Sequence, residues 1–308
     1  MKIAVLAGGV SGEREISLLS GNQVLAALRS LGHDAVLVDF GRGAFEELRR
    51  RQPELVFPTL HGPLGEDGTA AAVLEVLGLP YVGSGVLAGA LAMNKAAAKR
   101  VMIADGIPTP PFELVTTVAD PRAQGGGIVS RLGLPLAVKP NSAGSSLGFT
   151  MARDEDSLLD GIQKALAVAG PDRTAIVERA VPGMEITIGV IGVEAPEALP
   201  TLEIEYRDGA YDFEAKYTEG LSNHVIPARI PDDERLRAQE LAVRAHGLIG
   251  ARGLSRVDMM RQEDGSIWVL EVNTLPGMTE LSLFPDAARA AGMDFQALVS
   301  RLVREALA

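Results

Sequence analysis

The stretch SRVDMMRQEDGSIWVLEVN, residues 255–273, reads as two β-strands flanking a turn at QEDG. Glu271 and Asn273 are two residues apart, so both point to one face of the sheet, and Arg256 and Asp258 likewise share a face. The hairpin brings Asp258 opposite the segment that ends in Glu271 and Asn273. Three oxygen-bearing side chains converging among apolar neighbours are costly unless a cation compensates them. A donor set of oxygens without His or Cys selects a hard ion, Mg2+ or Mn2+, which usually keeps nucleotide phosphates as further ligands. The competing reading is a solvent-facing edge with unrelated charges, against which the apolar flanks speak.

Phosphates require cations. Lys139 ends an apolar run, and Lys95 lies in the helical segment AMNKAAAKR. Either one alone reads as an ordinary solvated lysine; with the carboxylate hairpin they compose a nucleotide site without a Walker motif. Lys139 opens VKPNSAGSSLG, residues 138–148, but a Walker A loop needs its lysine after the glycines. The small residues suit a backbone that approaches an anion closely. They equally suit a hairpin turn between the strands LAV and FTM.

Outward from these segments, the first third alternates short apolar strands with helical patterns. KIAVLAGG, AVLVDF and LVFPTLHG read as strands, while SLLSGNQVLAALRSLG and AAAVLEVLG read as helices closing at Gly32 and Gly78. That order predicts a parallel, right-handed, doubly wound unit ending near residue 90. Its ligands belong beyond the strands' carboxyl ends, where AGGVSGERE and LHGPLGEDG fall. A helix is expected over 92–105, then strands near 112–115 and 136–139, with QGGG at 124–127 a surface loop. TAIVERAV and VPGMEITIGVIG are strands, and LEIEYRD turns into AYDFEAKY through Asp208-Gly209. A helix over 234–250 and a C-terminal amphipathic helix with Phe295, Leu298, Val299 and Leu302 on one face complete the pattern.

A chain of 308 residues exceeds what one core usually serves, so two or three domains with clefts between them are expected. Hydrophobic residues at 47% and charged residues at 22% are ordinary for a globular protein. With 29 Lys and Arg against 40 Asp and Glu, the net charge of -11 and the lack of a basic run argue against nucleic acid and anionic membrane surfaces as partners. Cysteine is absent, which excludes disulfides and thiolate metal sites and fits a reducing compartment. MKIAVLAGG reads as a buried strand rather than a signal peptide, and a cytoplasmic location is expected.

VKPNSAGSSLG, VERAVPGMEIT, SRVDMM and LEVNTLPGMT resemble the ATP-grasp enzymes. AGGVSGEREISLLSG, LHGPLGEDG, GLPYVGSG, YDFEAKY and NTLPGMTELSLFP narrow the resemblance to the D-alanine:D-alanine ligase family, in the family's order and over essentially the whole chain. The resemblance implies an α/β and α+β molecule: an N-terminal doubly wound parallel domain over 1–90, then the two α+β domains of an ATP-grasp fold over 91–180 and 181–308. It implies a homodimer that uses ATP and two D-alanine molecules, passes through an acyl phosphate and supplies peptidoglycan precursors. By the same resemblance, Asp258, Glu271 and Asn273 hold two Mg2+ or Mn2+ ions, and Lys95, Lys139 and Lys216 meet the phosphates. Glu178, Arg179 and Val181 belong to the adenine hinge, and Glu185 faces the ribose. Glu13 pairs with the ammonium of the first D-alanine, His61 lies near its carboxylate, and Ser282 binds the carboxylate of the second. Arg256 and the N–H of Gly277 stabilise an oxyanion. Ser145 links Glu13 to Tyr217, and Ser146 closes with its loop over the triphosphate.

The sequence departs from the family's pattern at Asn94, where aspartate is frequent, at Ala143, where a longer polar side chain is usual, and in the hinge ERAV, which lacks the commoner aromatic. His33, His224 and His246 match no catalytic position and are expected on the surface or in structural roles. Two alternatives remain: a ligase joining D-alanine to D-lactate, against which EAKYTEG with Tyr217 speaks, and a non-catalytic ATP-binding regulator. A dinucleotide oxidoreductase is disfavoured because AGGVSG does not complete G-x-G-x-x-G.

Overall fold

A computed structural model describes residues 1–116, 121–144, 147–170, 172–206, 222–280 and 282–307, without the side chains of 121–124 and 222. The chain opens with β1 (Lys2–Ala7), α1 (Arg14–Ser30), β2 (Asp34–Asp39), α2 (Ala44–Arg51), β3 (Leu55–Pro58) and α3 (Thr69–Val76). Its three strands form a parallel sheet in the order β2-β1-β3, as the alternating pattern predicts. β1 is apolar almost throughout because both its faces are covered. α1 lies so close to it that a Cβ at Gly21 would stand 2.5 Å from that of Ala7. This seat holds the start of α1, and Glu13 just before it, at the carboxyl end of the sheet. α2 escaped the sequence reading because AFEELRRR buries only Ala44 and Leu48, too few for a visible apolar stripe.

The next elements are α4 (Val86–Met93), α5 (Lys95–Ala104), β4 (Phe112–Val115), α6 (Pro121–Leu132), β5 (Leu136–Pro140), β6 (Thr150–Ala152), α7 (Glu155–Val168) and β7 (Ala175–Arg179). Their strands make an antiparallel sheet in the order β4-β7-β5-β6. The single helix expected over 92–105 is two helices broken at Asn94, whose extended backbone ends α4 and whose Oδ1 caps α5 by accepting from the N–H of Ala97 at 2.9 Å. QGGG is not a surface loop; it lies inside α6. Ile128 and Leu132 bury α6 in one core with Leu158 and Ile162 of α7 and Val138 and Val177 of the sheet, and that packing overrides the low helix propensity of glycine.

The last elements are β8 (Met184–Gly192), β9 (Glu197–Ala198), β10 (Leu202–Tyr206), β11 (Ser222–Val225), α8 (Asp232–Leu248), β12 (Gly253–Arg261), β13 (Ile267–Asn273), α9 (Leu283–Ala290) and α10 (Phe295–Glu305). The sheet order is β11-β10-β8-β12-β13, with β9 beside β8. β10 pairs with β11, while the expected turn at Asp208-Gly209 and the strand AYDFEAKY lie outside the described residues. α8 covers one face of this sheet through Ala238, Ala242 and Ala245, and Ala98 and Met102 of α5 join the same core. On the N-terminal sheet, Phe284 of α9 and Leu298, Val299 and Leu302 of α10 pack against Ile3, Val5, Leu28 and Phe57.

Candidate active site

β12 and β13 pair antiparallel with Asp258 opposite Glu271 and Arg256 opposite Asn273, the register that the sequence pattern requires. A bulge follows: the register shifts between Asp258 and Met259, Leu270 is left without a partner, and Leu270 and Glu271 line the same cleft. Asp258 is buried and accepts from Thr187 Oγ1 at 2.6 Å and from Arg256 Nε and Nη2 at 2.8 Å each. Glu271 Oε2 stands 3.2 Å from Lys95 Nζ, which donates to the carbonyl of Ala143 at 2.8 Å. Asn273 Oδ1 accepts from the N–H of Leu275. The three oxygen-bearing residues thus share one end of the hairpin, with Arg256 and Lys95 compensating the carboxylates. Among the described residues, no three His, Cys, Asp or Glu side chains gather at one point.

The cleft lies between the β4-β7-β5-β6 sheet and the sheet built on β8, β10, β12 and β13. Ala137, Met151, Met260 and Leu270 give it apolar walls, and Lys95, Lys139, Glu178, Glu185, Asp258 and Glu271 give it charge. Glu178 is only 2% exposed, with Oε1 2.5 Å from Lys139 Nζ and Oε2 2.9 Å from Lys99 Nζ. Burial pushes the Glu178 carboxyl up, but the two ammonium groups outweigh it and hold the pKa below the ordinary glutamate value. Burial likewise opposes the Lys139 ammonium, and Glu178, Glu271 and Glu185 outweigh it, so that pKa lies above the usual lysine value. Lys99, fully buried and donating to Thr109 Oγ1 at 2.7 Å, is pulled down by burial.

Arg179 and Val181 also line this cleft. The Arg179 guanidinium donates to the carbonyl of Leu132, and the amides of Arg179 and Ala180 bond the carbonyls of Pro111 and Pro135. Those two N–H groups are therefore already committed within the fold.

The remaining candidates cluster toward the N-terminal sheet. Ser11 Oγ donates to the carbonyl of His61 and accepts from the N–H of Glu13, tying the two loops together. Glu13 and His61 are both buried, and His61 Nε2 has no hydrogen-bond partner among the described residues. The loop after β5 reaches them: a Cβ at Gly144 would lie 3.3 Å from Glu13 Oε2 and 3.5 Å from Glu66 Oε2. Gly277 and Ser282 are also neighbours, because a Cβ at Gly277 would stand 2.9 Å from Ser282 Oγ. Ser145, Ser146, Lys216 and Tyr217 lie outside the described residues. His33 is half-buried, His224 Nδ1 meets Asp286 at 2.6 Å, and His246 is buried on Ser255, 2.7 Å away; none of the three lines the cleft.

Sequence reasoning missed Lys99, Thr187, Glu66, Met260 and Leu270. Lys99 carried a signal, since it stands one helical turn after Lys95; Met260 carried one too, two residues after Asp258. Leu270 carried none, because the bulge that turns it into the cleft is a property of the pairing.

Two antiparallel sheets, closing on a cleft lined by lysines and carboxylates behind a parallel N-terminal sheet, define the ATP-grasp class of fold. The family model described as D-ala D-ala ligase C-terminus matches residues 101–304, and that described as D-ala D-ala ligase N-terminus matches residues 42–84. The chain belongs to the D-alanine–D-alanine ligase family. It is 47% identical over 304 residues to the D-alanine–D-alanine ligase of Desulforudis audaxviator, covering 98% of this chain and 97% of that one. To that of Moorella thermoacetica it is 47% identical over 313 residues, covering 100% and 99%. Among solved structures it is similar to the D-alanine–D-alanine ligase of Bacillus anthracis complexed with ATP, with a TM-score of 0.86, 29% identity and coverage of 100% and 97%. It is also similar to the VanG D-Ala:D-Ser ligase of Enterococcus faecalis, with a TM-score of 0.85, 31% identity and coverage of 99% of each chain.

Proposed function

We propose that this chain joins two D-alanine molecules into D-alanyl-D-alanine with conversion of ATP to ADP and phosphate. One observation carries the reading: the cleft between the two antiparallel sheets opposes Lys95 and Lys139 to Asp258 and Glu271 in a chain that matches this ligase family over its length. Lys95 and Lys139, with Lys216, hold the triphosphate, Glu178 and Val181 meet the base and Glu185 the ribose. Asp258, Glu271 and Asn273 fit a hard divalent cation, since all three offer oxygen and two are carboxylates facing one another across the hairpin. Bound there, Mg2+ or Mn2+ would neutralise phosphate charge.

In this reading Glu13 pairs with the ammonium of the first D-alanine, and His61, with its uncommitted buried nitrogen, approaches the carboxylate. A carboxylate oxygen attacks the γ-phosphorus as the bond to ADP breaks, giving D-alanyl phosphate and ADP. The amine of the second D-alanine, its carboxylate on Ser282, attacks the acyl carbon. Arg256 and the N–H of Gly277 stabilise the oxyanion; its collapse expels phosphate, and the amine releases a proton. Exclusion of water protects the acyl phosphate, a role assigned to Ser145, Ser146 and Tyr217 as a lid. The same reading divides the chain into units 1–90, 91–180 and 181–308 and places a homodimer in the cytoplasm, supplying peptidoglycan precursors.

ADP release measured with D-alanine, L-alanine, D-alanine plus D-lactate and D-alanine plus D-serine tests the proposal, with products weighed by mass spectrometry. D-Alanyl-D-alanine should form, and L-alanine should be inert. The D-serine arm answers the likeness to the D-Ala:D-Ser ligase. A preferred ester or D-alanyl-D-serine product would reassign the second substrate, and ATP binding without D-alanine-dependent turnover would leave the regulator.

A further inference from the structure

We propose that Lys99 is a positioning residue: without lining the cleft, it takes up the charge of Glu178 and so leaves the Lys139 ammonium to act on an anionic group there. The inference rests on the nucleotide reading of the cleft given above. Glu178 stands between two ammonium groups, 2.5 Å from Lys139 Nζ and 2.9 Å from Lys99 Nζ. Lys139 lines the cleft and Lys99 does not. With both lysines the group of three carries one net positive charge toward the ligand; with Lys139 alone it would be a neutral pair, closed on itself.

A lysine with no exposed surface is expensive, and an apolar side chain of similar length would fill the space at lower cost unless the charge is needed. The site is built to hold it. Thr109 Oγ1 accepts from its ammonium, and the Phe112 ring lies 5.9 Å away. α5 explains the arrangement, because Lys95 and Lys99 fall one turn apart on the same helix face. Lys95 meets Glu271 on β13, and Lys99 meets Glu178 on β7, so one helix delivers a cation to a carboxylate of each opposing sheet. The other charged groups acting on this pair of lysines are Glu185 and Glu271.

The test uses the intact chain and calorimetric affinities for ATP and for adenosine, which shares the base and ribose but carries no phosphate. Lys99→Met removes the charge at similar length. ATP affinity should fall at least about tenfold, since one unit charge several ångströms away at an effective dielectric near 20 is worth that or more, and adenosine affinity should hold. In Lys99→Met/Glu178→Gln the Lys139 charge is again uncompensated, so the ratio of ATP to adenosine affinity should return toward wild type. A merely structural role would weaken both ligands alike and would not be rescued. Should Lys99→Met fail to fold, Glu178→Gln alone decides: two unopposed ammonium groups should raise the ratio, and a fall overturns the proposal. A wild-type chain that binds no ATP would sink the nucleotide reading itself. A wild type that binds ATP, with the ratio unchanged in Lys99→Met, would sink only the role of Lys99.

Discussion

At the carboxylate hairpin, Glu271 is held by Lys95 from α5 while Asp258 is held by Thr187 from the strand beside it and by Arg256 from its own strand. Replacing Glu271 by glutamine keeps its shape and removes the charge. Turnover should drop at least about 10²-fold, as when one preorganised electrostatic group is lost. The melting temperature should move by no more than about 4 °C, because the site is half-exposed rather than core. Near-wild-type turnover at ordinary Mg2+ would remove the hairpin from the reaction. His246 acts on stability instead. It is buried against Ser255, and burial pushes its pKa down to about 4. The unfolded chain binds this proton below about pH 6.5 and the folded chain only near 4, so stability falls as pH drops through that window. Urea unfolding of wild type and His246→Gln at pH 7.5 and 4.5 should show the wild type losing more stability in acid; equal losses would contradict a neutral buried imidazole. At this scale, chemistry that lies two residues apart on a strand was legible in the sequence, as with Glu271 and Asn273. A partner 79 residues away, such as Glu178 for Lys99, was not, because it depends on how two elements dock.

Among elements, α5 matters most, since its start is fixed twice: Asn94 caps it and Asn141 Oδ1 accepts from the N–H of Ala96. The departure from aspartate at position 94 keeps the cap, because both residues serve there equally well. Asn94→Ala should cost about 0.5 to 2 kcal/mol of stability and raise the KM for ATP, as Lys95 and Lys99 lose their seat, whereas Asn94→Asp should be silent in both. An alanine variant with unchanged KM would show that the lysines are held by their partners alone. α6 illustrates the opposite relation between sequence and element. Three successive glycines read as a break, yet Ile128 and Leu132 supply the buried contacts that make a helix pay, and neither contact is local. At Gly126 an added Cβ would meet nothing nearer than Glu155 Oε1 at 3.7 Å. Gly126→Ala should therefore raise stability by about 0.5 to 1 kcal/mol in chemical denaturation. A loss would mean that the added methyl has no room there.

Across the whole molecule, three sheets meet around few groups: Gly144 brings the loop after β5 to Glu13 and Glu66, and α5 lies between the two antiparallel sheets. A ligand engaging Lys139 and Glu271 together ties those sheets to each other, so saturation with ATP at a hundred times its Kd should stabilise the chain by about 2.7 kcal/mol. Thermal melts of Lys139→Met should show most of that gain gone; an undiminished shift would put the nucleotide elsewhere. The parallel N-terminal sheet was legible because alternating strands and helices imply one, but which helix closes which core was not. α10 is the instance. Leu298, Val299 and Leu302 complete the cluster that contains Ile3, Val5 and Phe57, so residues nearly three hundred positions apart share one core. During synthesis a chain emerges from its N-terminus and domains commonly fold as they appear. Here the N-terminal sheet, packed by α1 on the same side, keeps that face incompletely covered until residues 295–305 have left the ribosome, so its folding waits on a segment made long after its own strands.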